Sequence, residues 1–288
     1  MKIDIFRQSL HYILPKNRFG DKIYSLINFY FNHKKFPSKK KLFNDYLYKL
    51  KTTNEILNPL RIYISDKENV KKFINTSIGK KYNIPTYKIL KKKRQILKYN
   101  FPSKCVIKPT HMSGEVIIRK KGEKINLNKI LNWLTLNYYN RSREVNYKNL
   151  KPKIIVEKLL FNDDNLKDYK FFCYNGEPKI IQVDIDRYAN FGKNHKRKFL
   201  DINWKDLKFS ILYPRYKKKI RKPKNLNKMI SIVRKLALRS RLGFIRIDTY
   251  SNDKSFYVGE MTNIHGNCSE HFFPKKSEKK ASKIIFDF

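Results

Sequence analysis

The chain has 288 residues, enough for a substantial core in two or three lobes, and its 41% hydrophobic and 14% aromatic content exclude a disordered polymer. Its 66 Lys and Arg against 24 Asp and Glu leave a net charge of +42, a surface that draws polyanions or anionic membranes, although part of the lysine bias is what an AT-rich genome produces. Cys105, Cys173 and Cys268 are far apart and form no CxxC, so free thiols in a reducing compartment are expected. The N-terminus MKIDIFRQSL lacks the apolar core of a signal peptide, and no run approaches the length of a membrane span. The expected location is cytoplasmic, with peripheral contact at the inner face of the membrane through charge.

In chain order, Asp21–Phe31 and Lys40–Lys51 have helical spacing on either side of the loop HKKFPSKK. Ser65 and Glu68 read as a capping box heading a helix over 66–76, with Gly79 just past its end. IPTYKIL (84–90) reads as a strand and KKKR (91–94) as a solvated connection. Residues 104–119 form two short strands around a loop that contains Pro109, His111, Ser113 and Gly114. Leu127–Tyr139 is expected as one amphipathic helix capped by Asn126, and 153–161 as a strand followed by the acidic loop NDDN. A hairpin around Asn175-Gly176, a short strand KRKFLDI and a helix Leu226–Leu238 follow. The class is α+β.

The last hairpin carries the sharpest signal. Phe244–Tyr250 and Ser255–Met261 flank a turn at 252–254, and each run holds one acid, Asp248 or Glu260. With a three-residue loop, Asp248 sits opposite Val258 and Glu260 opposite Arg246, which places both carboxylates on one face; an even-numbered loop separates them. Buried together they either share a divalent cation or are answered by Arg246 and surface lysines.

No Walker loop, dinucleotide fingerprint or GxSxG is present. His265, Cys268 and His271 are spaced like zinc ligands, but three in one short loop lack the fourth that a closed site needs. Lys108 ends the strand Cys105-Val106-Ile107 beside the Gly-containing loop, where a lysine and loop N–H groups can hold phosphate; in so lysine-rich a chain one also falls there by chance. Glu157, interrupting an apolar strand, and Lys170 and Arg187, on the arms of the second hairpin, are each weak signals alone.

Taken in order, VIKP, the Gly loop, IIVEKLL, DYKFFCYNGEP, DIDR, FIRIDTY and YVGEMTN resemble the ATP-grasp superfamily. They are most similar to its TupA-like branch, found in bacterial surface-polysaccharide clusters, over about Ser65–Pro274. The resemblance implies an ATP-grasp fold with the nucleotide held between two α+β lobes and a helical N-terminal region. It divides the chain into a helical region 1–64, the N-terminal part of the grasp core 65–100, a small lobe 101–161 and a large lobe 162–288. It implies ATP and Mg2+ as cofactors. Lys108 would touch phosphates, and 111–115, with His111, Ser113 and Gly114, would be the mobile covering loop. Glu157, Lys158, Leu160 and Asp168 would hold the nucleotide, and Lys170 and Arg187 would be catalytic. Asp248 and Glu260 would bind the metal with Asn263, because Thr262 stands where many of these enzymes have a metal-binding Asn. Lys71 and Lys72 stand where the branch carries an arginine.

The resemblance further implies an ADP-forming carboxylate–amine ligase that joins an amino acid or peptide to a uronic acid of a capsule or O-antigen. The partners are then an acidic glycan, a sugar nucleotide or a lipid-linked uronic acid, and the amino acid. A glycosyltransferase is the alternative enzyme; the only DxD beside it, Asp184-Ile185-Asp186, reads as a hairpin arm. A nucleic-acid binder is disfavoured, because the basic residues are spread along the whole chain without a reading module.

Overall fold

The computed structural model describes residues 10–40, 42–160, 168–185 and 195–287. In chain order the helices and strands begin with α1 (Arg18–His33), α2 (Phe43–Thr52), α3 (Pro59–Ser65), α4 (Lys67–Ile78), β1 (Thr86–Leu90) and α5 (Lys93–Lys98). Next come β2 (Cys105–Pro109), β3 (Ile117–Arg119), α6 (Leu127–Trp133), α7 (Tyr138–Ser142) and β4 (Ile154–Lys158). The remainder is β5 (Asp168–Tyr174), β6 (Glu177–Ile185), β7 (Lys196–Asp201), β8 (Ser210–Ile211), α8 (Leu226–Ser240), β9 (Phe244–Ser251), β10 (Phe256–Thr262), β11 (Phe272–Phe273) and α9 (Ser277–Phe286). The chain divides into two compact units, Leu57–Asn162 and a discontinuous one of Met1–Ile56 with Asp163–Phe288.

The unit Leu57–Asn162 is built on an antiparallel sheet ordered β1-β4-β2-β3. Ile107, Ile154 and Val156 bury one side of it with Ile96, Ile130 and Trp133 from α5 and α6. Helix α4 starts one residue later than the capping-box reading. Ser65 ends α3, and Asp66 is the N-cap, its Oδ1 accepting from the N–H groups of Glu68 and Asn69. The carboxylate of Glu68 is turned instead to Lys153 and Lys72. The single helix expected over 127–139 is two, α6 and α7, and α5 begins inside the KKKR stretch that reads as a connection. Asn126 caps α6 as expected, accepting from Lys129 N.

The discontinuous unit is built on an antiparallel sheet ordered β10-β9-β5-β6-β7. Asn175 and Gly176 turn β5 into β6 with φ of 47° and 84°, the left-handed pair that a tight hairpin requires. Helix α8 packs on β5, β6 and β9. The rings of Phe172 and Phe244 are covered by Phe43 of α2, which also meets Phe272 and Phe286. Helix α2 has no local side-chain cap, since Leu42 offers none. Its first N–H groups are bonded instead by Ser282 Oγ (2.8 Å from Phe43 N) and Glu278 Oε1 (3.0 Å from Asn44 N), both from α9.

Candidate active site

The β9–β10 hairpin corrects the expected register and still brings its acids together. Ser251 pairs with Phe256, not Ser255, so the loop is Asn252–Ser255, an even four residues. Asn252 holds this longer turn, its Oδ1 accepting from the N–H groups of Lys254 and Ser255. The slip is undone by a bulge at Gly259, between the pairs Val258↔Thr249 and Glu260↔Asp248. Directly opposed residues share a face, so the two carboxylates are neighbours across the strands.

That face carries a closed ring of polar contacts, assembled from four strands and the segment after β10. Arg246 Nε and Nη2 donate to Asp248 Oδ1 and Oδ2, both at 2.7 Å. Asp248 lies 3.2 Å from Lys170 Nζ, which lies 3.5 Å from Asp184 and also contacts Asp168. Asp184 Oδ1 accepts from Arg197 Nε at 3.1 Å, and Arg197 Nη1 pairs with Glu270. Glu270 Oε2 lies 2.9 Å from His265 Nε2, and His265 Nδ1 accepts from Arg246 Nη1 at 2.7 Å. A guanidinium only donates, so the imidazole is neutral with its proton on Nε2. The alternative in which Arg246 answers an acid is therefore realised at Asp248.

Electrostatics follow from this geometry. Burial pushes the Asp248 carboxyl up, but Arg246 and then Lys170 hold it below the ordinary carboxylate range. Burial likewise opposes ionisation of Glu270, while His265 and Arg197 hold its carboxyl well down. Burial lowers His265 from its ordinary 6.5, with Glu270 opposing. Glu260 is half-buried and has no ion-pair partner among the described residues; its Oε1 accepts from Thr262 Oγ1 at 3.3 Å, and Thr262 accepts from Arg246. Asn263, beyond the strand end, is buried.

This cluster fits a divalent cation. Five carboxylates (Asp168, Asp184, Asp248, Glu260 and Glu270) surround three fixed cations (Lys170, Arg197 and Arg246). Among these described side chains alone the acids exceed the cations by two, in a chain whose total is +42. Among the described residues no group of three or more His, Cys, Asp or Glu side chains is placed to hold a metal ion by itself. Magnesium requires none, since it is held by one or two carboxylates together with substrate phosphates and water.

In the unit Leu57–Asn162, Glu157 is fully buried between two lysines, Lys71 at 2.6 Å and Lys108 at 2.9 Å. Burial opposes its ionisation, but Lys108 and Lys71 hold the carboxyl at about 2. Lys71 also donates to Ile84 O at 2.6 Å, which ties α4 to the start of the sheet. The strand end leads into a loop anchored at its base. Thr110 Oγ1 donates to Asp66 Oδ2 (2.8 Å), and the buried His111 holds Trp133 O and Leu136 O through Nε2, both at 3.1 Å. Ser113 is half-buried, and Gly114 is exposed with φ of 87° and open space around its Cα. Lys158 is exposed and Leu160 buried, while Asp168 and Lys170 are buried in the other unit. Arg187 and Asp186 lie outside the described residues.

Sequence reasoning missed Glu270 and Arg197 altogether, and it named Arg246 only as an answering charge, His265 only by zinc-like spacing and Lys71 only by the resemblance. Arg246 was within reach, since Arg246 and Asp248 alternate onto one face of FIRIDTY.

One face of this antiparallel sheet is thus lined by acids paired with Lys170, Arg197 and Arg246. The chain belongs to the TupA-like ATP-grasp family, whose model matches residues 18–285. ATP with Mg2+ is the cofactor pair of this family. Among solved structures it is similar to a D-alanine–D-alanine ligase from Bacillus anthracis (14% identity, TM-score 0.45, 79% of this chain and 66% of that one). It is also similar to an L-amino acid ligase from Bacillus licheniformis (14% identity, TM-score 0.48, 77% of this chain and 49% of that one). The chain thus spans about half to two thirds of those proteins' length. No curated protein matches it.

Proposed function

We propose that the chain is an ADP-forming, ATP-dependent carboxylate–amine ligase that joins an amino acid or peptide to a uronic acid of a bacterial capsule or O-antigen polysaccharide. The observation that carries the reading is the direct opposition of the Asp248 and Glu260 carboxylates on one face of the sheet, in a member of the TupA-like ATP-grasp family. Asp248 and Glu260, with Asn263, would hold the metal, and Thr262 lies on the same face. Magnesium bound there supplies charge neutralisation for a transferring phosphoryl group.

The chain's own residues do the rest. Lys108 leaves Glu157 to meet ATP phosphates, and Lys71 stays to keep Glu157 ionised. The loop 111–115 covers the phosphates with its N–H groups while His111 anchors its base. Glu157, Lys158, Leu160 and Asp168 contribute to nucleotide binding. Lys170 and Arg246, fixed by their carboxylates, and Arg187 stabilise charge as a carboxylate oxygen attacks the γ-phosphorus and ADP leaves. An amine then displaces phosphate from the acyl phosphate, giving an amide. The carboxylate activated is that of the uronic acid, because so basic a surface gathers acidic glycans.

The test is a thermal shift with ATP, ADP and UDP-sugars, each with and without Mg2+, followed by ADP release with uronic acids and amino acids. A Mg2+-dependent shift with ATP or ADP, and ADP release that needs both acceptor and amine, are expected. A shift with UDP-sugars alone would replace this reading with glycosyl transfer.

A further inference from the structure

Helix α1 buries one face and, among the described residues, leaves an apolar stripe exposed or half-buried on the other. Its buried residues, Gly20, Asp21, Tyr24, Ser25 and Phe29, face the core. At about 100° per residue, Phe19, Ile23, Leu26 and Tyr30 fall within roughly 60° of one another on the opposite side. Phe19 is 69% exposed, Tyr30 is 42% exposed, and Ile23 and Leu26 are half-buried. The 64%-exposed ring of Phe36 lies 4.9 Å from that of Tyr30 and extends the stripe. Tyr12, ahead of the helix, is 90% exposed.

A large apolar stripe on the outside of a charged protein needs an occupant. The charge around it selects one. Residues 10–42 contain eight lysines and arginines and one acid, Asp21, which is buried. Lys22, Lys39 and Lys40 are exposed beside the aromatic residues, and Lys34 lies over the Phe31 ring. A second copy of a chain carrying +42 would bring like charge against like charge. An anionic lipid leaflet offers the opposite sign and a layer that takes aromatic rings at headgroup depth.

We propose that the α1 stripe, Phe19-Ile23-Leu26-Tyr30 with Phe36, seats the protein on an anionic membrane surface, its apolar residues at the headgroup boundary and its lysines on lipid phosphates. This surface stands independently of the ligase reading.

The test is co-sedimentation of the full chain with vesicles of phosphatidylcholine alone or mixed with phosphatidylglycerol, at about 0.1 M salt and again at about 0.5 M. Expected are binding to the anionic vesicles only, weakening in high salt, and a roughly tenfold or greater loss in Phe19→Glu/Phe36→Glu with the melting temperature unchanged. Should the double variant melt early, Phe36→Ser alone makes the same comparison, because Phe36 lies outside every helix and strand. Equal binding by parent and variant, or equal binding to both vesicles, overturns the proposal. So does a concentration-dependent dimer that the same variant abolishes, which would assign the stripe to a second copy.

Discussion

Glu260 stands directly across from Asp248 because Gly259 is left without a partner between them. The bulge cannot take a side chain freely: a Cβ at position 259 would lie 2.5 Å from Tyr250 Cε2 and 3.2 Å from Cδ2. Gly259→Val is therefore expected to displace the Tyr250 ring, cost about 1–3 kcal/mol in a urea melt, and abolish the Mg2+-dependent nucleotide shift. Unchanged stability and an intact shift would show that the bulge does not set the acid pair.

The two acids should respond differently to loss of charge. Asp248→Asn leaves Arg246 and Lys170 buried with a counter-charge removed, and is expected to cost about 3–5 kcal/mol. Glu260→Gln breaks no ion pair, and is expected to shift stability by no more than about 0.5 kcal/mol while removing Mg2+-dependent nucleotide binding. Paired thermal melts with and without Mg2+ and ADP separate the two outcomes. A Glu260→Gln variant with the parent's Mg2+ response would remove Glu260 from the metal site.

Glu157 makes the Leu57–Asn162 unit acid-sensitive. Its carboxyl falls from an ordinary 4.5 to about 2 in the folded chain. Because the folded value lies below the unfolded one, the stabilisation is complete above about pH 5 and is lost as pH falls toward 2. The 2.5-unit difference corresponds to roughly 3 kcal/mol. Hydrogen exchange of β2 and β4 amides across pH 2–6, corrected for intrinsic rates, should show protection draining over that window, and Glu157→Gln should flatten it.

His265 adds a dependence nearer neutrality. Burial lowers its pKa below 6.5, so protonation is harder in the folded chain than in the unfolded one, and stability declines as pH falls below 6.5. A protonated Nδ1 would also face the Arg246 guanidinium that now donates to it. Activity is expected to fall on this acid limb, and His265→Asn is expected to lower activity but lose the limb. A limb that persists in the variant would belong to another group.

How much of this was legible in the sequence depends on chain distance. The Asn175-Gly176 hairpin and helix α8 follow from local turn chemistry and apolar spacing, and both are found at nearly the expected residues. The pairing of Asp248 with Glu260 on one face was reached through the wrong loop length, because nothing in SNDKSFYVG announces a bulge except the glycine itself. The displaced cap at Asp66 was hidden because Ser65, a residue earlier, is an equally good cap by type. Arg197 and Glu270 meet across 73 residues, and Ser282 caps α2 across 239, separations at which spacing carries no signal. No element was assigned over the lysine-rich residues of α9, where Ala281, Ile285 and Phe286 are buried.

The discontinuity of the larger unit has a consequence for biosynthesis. Phe43 leaves the ribosome well before the rings that cover it, and the last of them, Phe286, follows 243 residues later. At about 5–20 residues per second, that is a delay of roughly 12–50 s. During it, the Leu57–Asn162 unit can complete its own sheet, while α2 waits with an open aromatic face and N–H groups whose acceptors are not yet made. The nascent chain is thus most exposed to mispairing and to chaperones around α2, and α9 is the part that closes it.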